Sequence, residues 1–125
     1  MEYVRKIDFD KLEAVGAGRP MQWLLDRQSG AEHCAVLCIK TPPGAGSESG
    51  LHTHPFEQVF YLVSGSMDAE IDGNRYHAEA GSILVFPQGM PHRNWNAGDV
   101  PSIHLSFMMP LAPPGVPLTT PVGKP

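Results

Sequence analysis

The stretch GSESGLHTHPFEQVFYLVSG, residues 46–65, decides the fold of this chain. It places His52 and His54 two positions apart and continues into a segment rich in β-branched and aromatic residues, which favour strands. Alternate residues of a β-strand face the same side, so the two imidazoles can point together. Gln58 shares their parity if the chain stays extended beyond Pro55.

A second stretch, GSILVFPQGMPHRNWN at residues 81–96, adds a third imidazole. Pro87 and Gly89 occupy positions typical of a tight turn, which would redirect the chain so that His92 enters from a separate strand. Three imidazoles and one amide form a plausible set of neutral ligands for a single divalent metal.

The spacing of the two stretches resembles the paired motifs of the cupin superfamily. The first motif of that family reads G(x)5HxH(x)3–4E(x)6G, and the second reads G(x)5PxG(x)2H(x)3N. Every fixed position matches between Gly46 and Gly65 and between Gly81 and Asn96, except that Gln58 stands where the family usually has glutamate. The resemblance implies an all-β fold, the double-stranded β-helix or jelly roll.

The rest of the chain agrees with short strands separated by turns. An Asp-Gly pair at positions 72 and 73 predicts a hairpin. We expect one cupin barrel over residues 1–109, followed by a Pro-rich tail at residues 110–125. The tail is interpreted either as a partly ordered extension or as a segment that wraps a neighbouring subunit. Strands are predicted at residues 21–26, 32–40, 57–63, 66–71, 75–78, 82–86 and 102–109.

Composition bounds the class of protein. The chain has 125 residues, 42% of them hydrophobic, which is enough for one domain with a core. A net charge of −4 argues against a nucleic-acid partner, which is normally met by a basic surface. The sequence lacks a long apolar run and a signal-peptide pattern, so neither a membrane partner nor secretion is expected and the predicted location is cytoplasmic.

The resemblance assigns His52, His54, Gln58 and His92 as the metal ligands. Glu57 remains an alternative to Gln58, because a carboxylate is the commoner ligand, although strand parity and the spacing to the next motif glycine favour the glutamine. The expected cofactor is one divalent transition metal, and imidazole ligands leave zinc, nickel, iron and manganese open.

Four neutral ligands would leave the full +2 charge on the metal, which suits polarisation of a carbonyl or enolate oxygen. We therefore predict a metal-dependent enzyme that acts on a small carbonyl- or carboxylate-bearing molecule by non-redox isomerase, cyclase or lyase chemistry. His104 and Glu57 are the candidate acid/base residues. The alternatives are a dioxygenase with a redox metal and a non-catalytic metal- or ligand-binding cupin.

A homodimer is also predicted. Small barrels have edge strands that invite pairing, and residues 2–8 are expected to supply an added strand. The Pro-rich tail could pack across the partner, and single-domain relatives in the cupin superfamily commonly pair.

Overall fold

The computed structural model describes residues 1–13, 18–47 and 49–122. Within these ranges it contains ten β-strands and two short 3-10 helices, the latter at Phe9–Leu12 and Arg27–Ser29. No helix in this part of the chain is long and apolar enough to cross a membrane. The strands are β1 (Met21–Leu25), β2 (Ala35–Thr41), β3 (His52–Thr53), β4 (Glu57–Ser64), β5 (Ser66–Ile71), β6 (Asn74–Glu79), β7 (Ile83–Phe86), β8 (His92–Trp95), β9 (Ser102–Met109) and β10 (Thr120–Pro121).

The strands form two five-stranded antiparallel sheets. One sheet has the order β1-β2-β9-β4-β7 and the other has the order β10-β3-β8-β5-β6. Consecutive strands repeatedly cross from one sheet to the other, which is the connectivity of a jelly roll. The predicted all-β double-stranded β-helix is therefore confirmed.

The core lies between the inner faces of the two sheets. Strand β4 shows how the sequence builds it, because its burial alternates and places Phe60 and Leu62 inside, as their parity with Gln58 predicts. Two apolar clusters fill the interior. One contains Phe60, Leu62, Met67, Ala69, Ala78, Leu84 and Phe86, and the other contains Ala35, Leu37, Ile39, Phe56 and Met108.

Glycines and turn residues hold the strands in register. Asp72 and Gly73 both have positive φ, at 52° and 78°, which gives the two-residue turn predicted between β5 and β6. A Cβ atom on Gly46 would lie 2.5 Å from the Asn94 carbonyl oxygen, so only glycine lets this loop approach β8.

Residues 2–8, predicted to add a strand in a homodimer, form no strand within their own chain, and pairing with a partner stays a prediction. This segment has no strand pairing and is held by side-chain contacts instead. The Arg5 guanidinium donates to the carbonyl oxygens of Leu24 and Ser29, at 2.7 and 2.9 Å. Arg5 therefore anchors the segment to the body of the fold.

The Pro-rich tail packs against its own barrel. Leu111 and Ala112 lie against the second apolar cluster, and β10 pairs with β3 at the edge of its sheet. Pro121 is tolerated there because an edge strand has one side without ladder hydrogen bonds. The tail thereby reaches the strand that carries His52.

Candidate metal centre

Three histidines converge at one end of the barrel. His52 is the cross-strand neighbour of His92, and His54 lies two residues after His52 in the chain. Their ring centroids lie 4.4 to 4.9 Å apart. One potential ligand atom from each ring lies within 4.8 Å of the others, so this cluster is capable of binding a metal ion.

Backbone carbonyls fix which nitrogen of each ring faces the centre. The Nδ1 atoms of His52, His54 and His92 lie 2.6, 2.6 and 2.9 Å from carbonyl oxygens, which can only accept hydrogen bonds. Each Nδ1 therefore carries the proton, and each Nε2 keeps its lone pair for a metal. The three acceptors are the carbonyls of Gly50, Leu118 and Met90.

Gln58 presents an amide oxygen to the same region. Its side chain is buried, and its Nε2 donates to Ser106 Oγ at 2.8 Å, which fixes the orientation of the amide. Among the described residues, neither Gln58 Oε1 nor His92 Nε2 has a hydrogen-bond partner, although both atoms are buried. Buried polar atoms rarely remain unpaired, because desolvation without a partner is costly. A divalent cation would satisfy both atoms, so the donor set fits a metal.

The two candidate acid/base residues lie elsewhere. Glu57 is exposed on the outer face of β4, on the opposite side from Gln58. His104 is completely buried in β9, with its ring 4.2 Å from that of Phe60. Neither side chain lines the pocket beside the three histidines. Their assignment as acid/base groups stays a prediction.

Burial keeps the imidazoles of the cluster uncharged. It lowers the pKa of His52 and His54, and it lowers the pKa of His92 to about 4. The carbonyl hydrogen bonds oppose this effect, while the neighbouring rings add to it at His54 and His92. At neutral pH the cluster is therefore in the protonation state that metal binding requires.

A cavity of about 370 Å³ opens beside the cluster. Polar groups enter it from several elements, and no Asp, Glu or Lys lines it in the described part of the chain. Ser47 Oγ donates to Asn94 Oδ1 at 2.9 Å, and the buried Asn94 Nδ2 has no protein acceptor among the described residues. Its lining is Arg19, Met21, Trp23, Leu37, Ile39, Ser47, Ser49, His52, His54, Phe56, Gln58, Phe60, Asn94, Met108, Leu118 and Thr119.

Three contributors to this centre were not predicted. Phe56 stacks on His54 with ring centroids 4.7 Å apart and planes 9° from parallel. Ser106 orients the Gln58 amide, and its inward parity in β9 is a signal that could have found it. No sequence signal could have found the Leu118 carbonyl, because any residue at that position of the tail would supply a backbone carbonyl.

The chain is similar to polyketide synthase proteins of Streptomyces. The polyketide synthase protein CurC of Streptomyces cyaneus is 33% identical over 78 residues, which covers 62% of this chain and 49% of that protein. The tetracenomycin polyketide synthase protein TcmJ of Streptomyces glaucescens is 30% identical over 102 residues, covering 70% of this chain and 66% of that protein. The matches thus span about half of CurC and about two thirds of TcmJ.

Among solved structures, the polyketide cyclase RemF from Streptomyces resistomycificus superposes with a TM-score of 0.71 at 20% identity. The superposition covers 86% of this chain and 72% of that one, and at this identity it establishes the shared fold. Residues 37–108 match the cupin domain family, a range that contains both histidine motifs and eight of the ten strands in whole or in large part. This chain therefore belongs to the cupin family.

Proposed function

We propose that this cupin is a metal-dependent enzyme that closes a ring in a small, carbonyl-rich molecule without net oxidation or reduction. The observation that carries the proposal is the neutral donor set. The three histidines could hold one ion, Gln58 lines the same pocket with a buried amide oxygen that has no partner among the described residues, and none of these groups brings a negative charge. A divalent metal bound there would keep its full charge to polarise a carbonyl oxygen and stabilise an enolate.

The pocket supplies groups that would orient such a substrate. Asn94 Nδ2 is a buried donor that a substrate oxygen can satisfy, and Ser47 holds its amide in that orientation. Arg19 brings a positive charge into the lining, which favours an enolate or a carboxylate. Phe56 and Met108 contribute apolar walls that exclude water from the reacting carbons.

The relatives support the same substrate class. CurC and TcmJ are named as polyketide synthase proteins, and the fold is shared with a protein named as a polyketide cyclase. Polyketides carry repeated carbonyl groups, and ring closure between them involves polarisation, proton transfer and exclusion of solvent. The neutral ligand set, the polar groups of the lining and the apolar walls of this pocket suit these tasks.

The direct test combines metal analysis with a simple polyketone. Purified protein should contain nearly one transition metal per chain, and the His52→Ala/His54→Ala double variant should lose it while keeping its strand content. Heptane-2,4,6-trione is a suitable probe, because its ring closure with loss of water gives a pyranone with a distinct ultraviolet absorbance. We expect zinc- or nickel-loaded protein to accelerate this closure, and the double variant to return the rate to the uncatalysed background.

Three outcomes would contradict the proposal. Full metal content in the double variant would show that His52 and His54 are not the metal ligands. Oxygen consumption with iron-loaded protein, together with inactivity of the zinc form, would favour the dioxygenase alternative. Tight metal binding without acceleration of any polyketone would favour the non-catalytic binding protein. A His33→Ala variant, which changes an exposed histidine, is the matched control for metal content.

A further inference from the structure

A second cavity, of about 390 Å³, lies under the Pro-rich tail. Its floor is formed by side chains of the barrel, and its roof is formed by the tail, between Pro110 and Leu118. The polar members of the lining lie in the loop after β1. The lining comprises Trp23, Asp26, Arg27, Gln28, Ala35, Phe56, Met108, Pro110, Leu111, Ala112 and Leu118.

The tail is fastened over this cavity. Arg27 Nη2 donates to the Ala112 carbonyl oxygen at 2.9 Å, and Leu111 and Ala112 pack against the apolar cluster that contains Phe56. Further along, the Leu118 carbonyl accepts from His54. The roof therefore has a defined position relative to the metal centre.

The two cavities share part of their lining. Trp23, Phe56, Met108 and Leu118 line both of them. Phe56 is the closest link, because its ring stacks on His54 while it also lines the second cavity. A molecule bound at the histidines thus has an apolar compartment next to it. Each cavity alone is near the lower end of the range for ligand sites, so an extended molecule would need both.

We propose that the second cavity is a subsite for an apolar aromatic end of the substrate, whose carbonyl end lies at the metal centre. The inference rests on the proposed function and adds the shape and polarity of the substrate. The charged groups at the rim are already engaged: Asp26 caps the helix at Ser29, and Arg27 holds the tail. The remaining aromatic, thioether and aliphatic surfaces favour a flat apolar group over a charged one.

The test compares two diketones that differ only at one end. Acetylacetone has two methyl groups, whereas benzoylacetone replaces one of them with a phenyl ring. Both are titrated into zinc-loaded protein, and binding is followed by the enolate absorbance. Burial of the ring predicts that benzoylacetone binds at least about tenfold more tightly. Ala112→Phe fills the subsite and should abolish this preference while leaving the affinity for acetylacetone unchanged.

Matched variants keep this test interpretable. Ala80→Phe makes the same change at an exposed turn outside both cavities and should retain the full preference. Ala112→Val intrudes less and should give an intermediate loss, which guards against misfolding of the larger variant. Equal affinities for the two diketones in the parent protein would overturn the inference. An equal loss of affinity for acetylacetone and benzoylacetone in Ala112→Phe would also overturn it.

A metal-independent measurement separates this inference from the proposed function. In metal-free protein, 2-naphthol should quench the fluorescence of Trp23, and both Ala112→Phe and Trp23→Phe should remove the quenching. If neither diketone binds the zinc-loaded protein but the naphthol response is present, the proposed function fails and the aromatic subsite stands. If the diketones bind without preference and naphthol gives no response, the subsite fails and the metal chemistry stands.

Discussion

At the residue scale, the backbone does as much as the side chains to shape the metal centre. Three carbonyls hold the protons of His52, His54 and His92 on Nδ1, so the three Nε2 atoms are available before any ligand arrives. Ser106 does the same for the Gln58 amide by accepting its N–H. Such support of a ligand typically changes metal affinity by about 10- to 100-fold.

A change at Gln58 tests the charge of the centre. Gln58→Glu should keep the metal and lower the net charge of the site by one, because a carboxylate is also a good ligand. Affinity for acetylacetone, which binds metals as an anion, should fall by about tenfold or more. Titration of the zinc-loaded variant measures this. Glu57→Gln is the matched control, since Glu57 faces outward. Loss of metal from that control would contradict the assignment.

His104 predicts how the metal-free protein responds to acid. Burial lowers the pKa of His104 to about 3, whereas an unfolded histidine titrates near about 6.5. Between these values the unfolded chain binds a proton that the native chain does not, so the free energy of unfolding falls as the pH falls below about 6.5. One such group contributes a slope of about 1.4 kcal/mol per pH unit, and above pH 6.5 this contribution to stability is fully present.

In the variant His104→Leu, the slope of the unfolding free energy against pH should be smaller by the contribution of about one proton, which is about 1.4 kcal/mol per pH unit. Urea unfolding at several pH values between 7 and 4.5, with a chelator present, gives the slopes. Ser102→Ala is the control, because it changes another fully buried polar side chain of β9 that does not titrate. An unchanged slope in the histidine variant would show that His104 is not held neutral by the fold.

At the element scale, the tail is part of the site. β10 pairs with β3, and the Val122 amide donates to the Leu51 carbonyl oxygen at 2.9 Å. These contacts hold the Leu118 carbonyl against His54. The segment therefore acts on the metal centre through its backbone.

A truncation measures this contribution. Ending the chain after Pro117 removes the acceptor for His54, and we expect zinc affinity to fall by about 10- to 100-fold. Leu118→Ala is the matched control, since it keeps the carbonyl and should retain the parent affinity. Competition with a chromophoric chelator gives both values. Loss of affinity in Leu118→Ala alone would mean that the side chain, not the carbonyl, matters.

Three parts of the chain show what the sequence could predict and what it could not. The strands that carry the histidines were predictable, because the motif spacing and the two-residue repeat of a strand both place the histidine side chains on the same inward face. The path of the tail was not, since its position depends on Arg27 reaching the Ala112 carbonyl across 85 residues. Residues 2–8 form no strand within their own chain, because the hydrogen bonds of Arg5 to Leu24 and Ser29 hold the segment against the barrel instead.

At the scale of the whole molecule, the outer faces of the two sheets differ in polarity. Strands β4 and β7 expose a row of large apolar side chains, whereas strands β5, β6 and β8 present charged groups outward. On the charged side, Arg93 pairs with Glu70 and lies over the Trp95 ring. A contiguous apolar patch of this kind typically marks an interface. The exposed apolar residues of this face, on β4 and β7, are Tyr61, Val63, Ile83 and Val85.

We expect a homodimer formed through this apolar face. Light scattering should give twice the chain mass of 13.6 kDa at micromolar concentration. Ile83→Lys places a charge at the most exposed of these positions, 65% accessible, and should yield a monomer. Tyr76→Lys changes an exposed residue of the other sheet, 52% accessible, and should leave the dimer intact. A monomeric parent protein would contradict this arrangement.

The pairing of His54 with Leu118 also has a consequence for biosynthesis. All three histidines precede β9 and the tail along the chain, so the ribosome synthesises them first. Until β9 inserts between β2 and β4, the first sheet is incomplete, and until Leu118 emerges His54 lacks its acceptor. We therefore expect chains that have not yet added the tail to bind a metal ion less tightly than chains that include it.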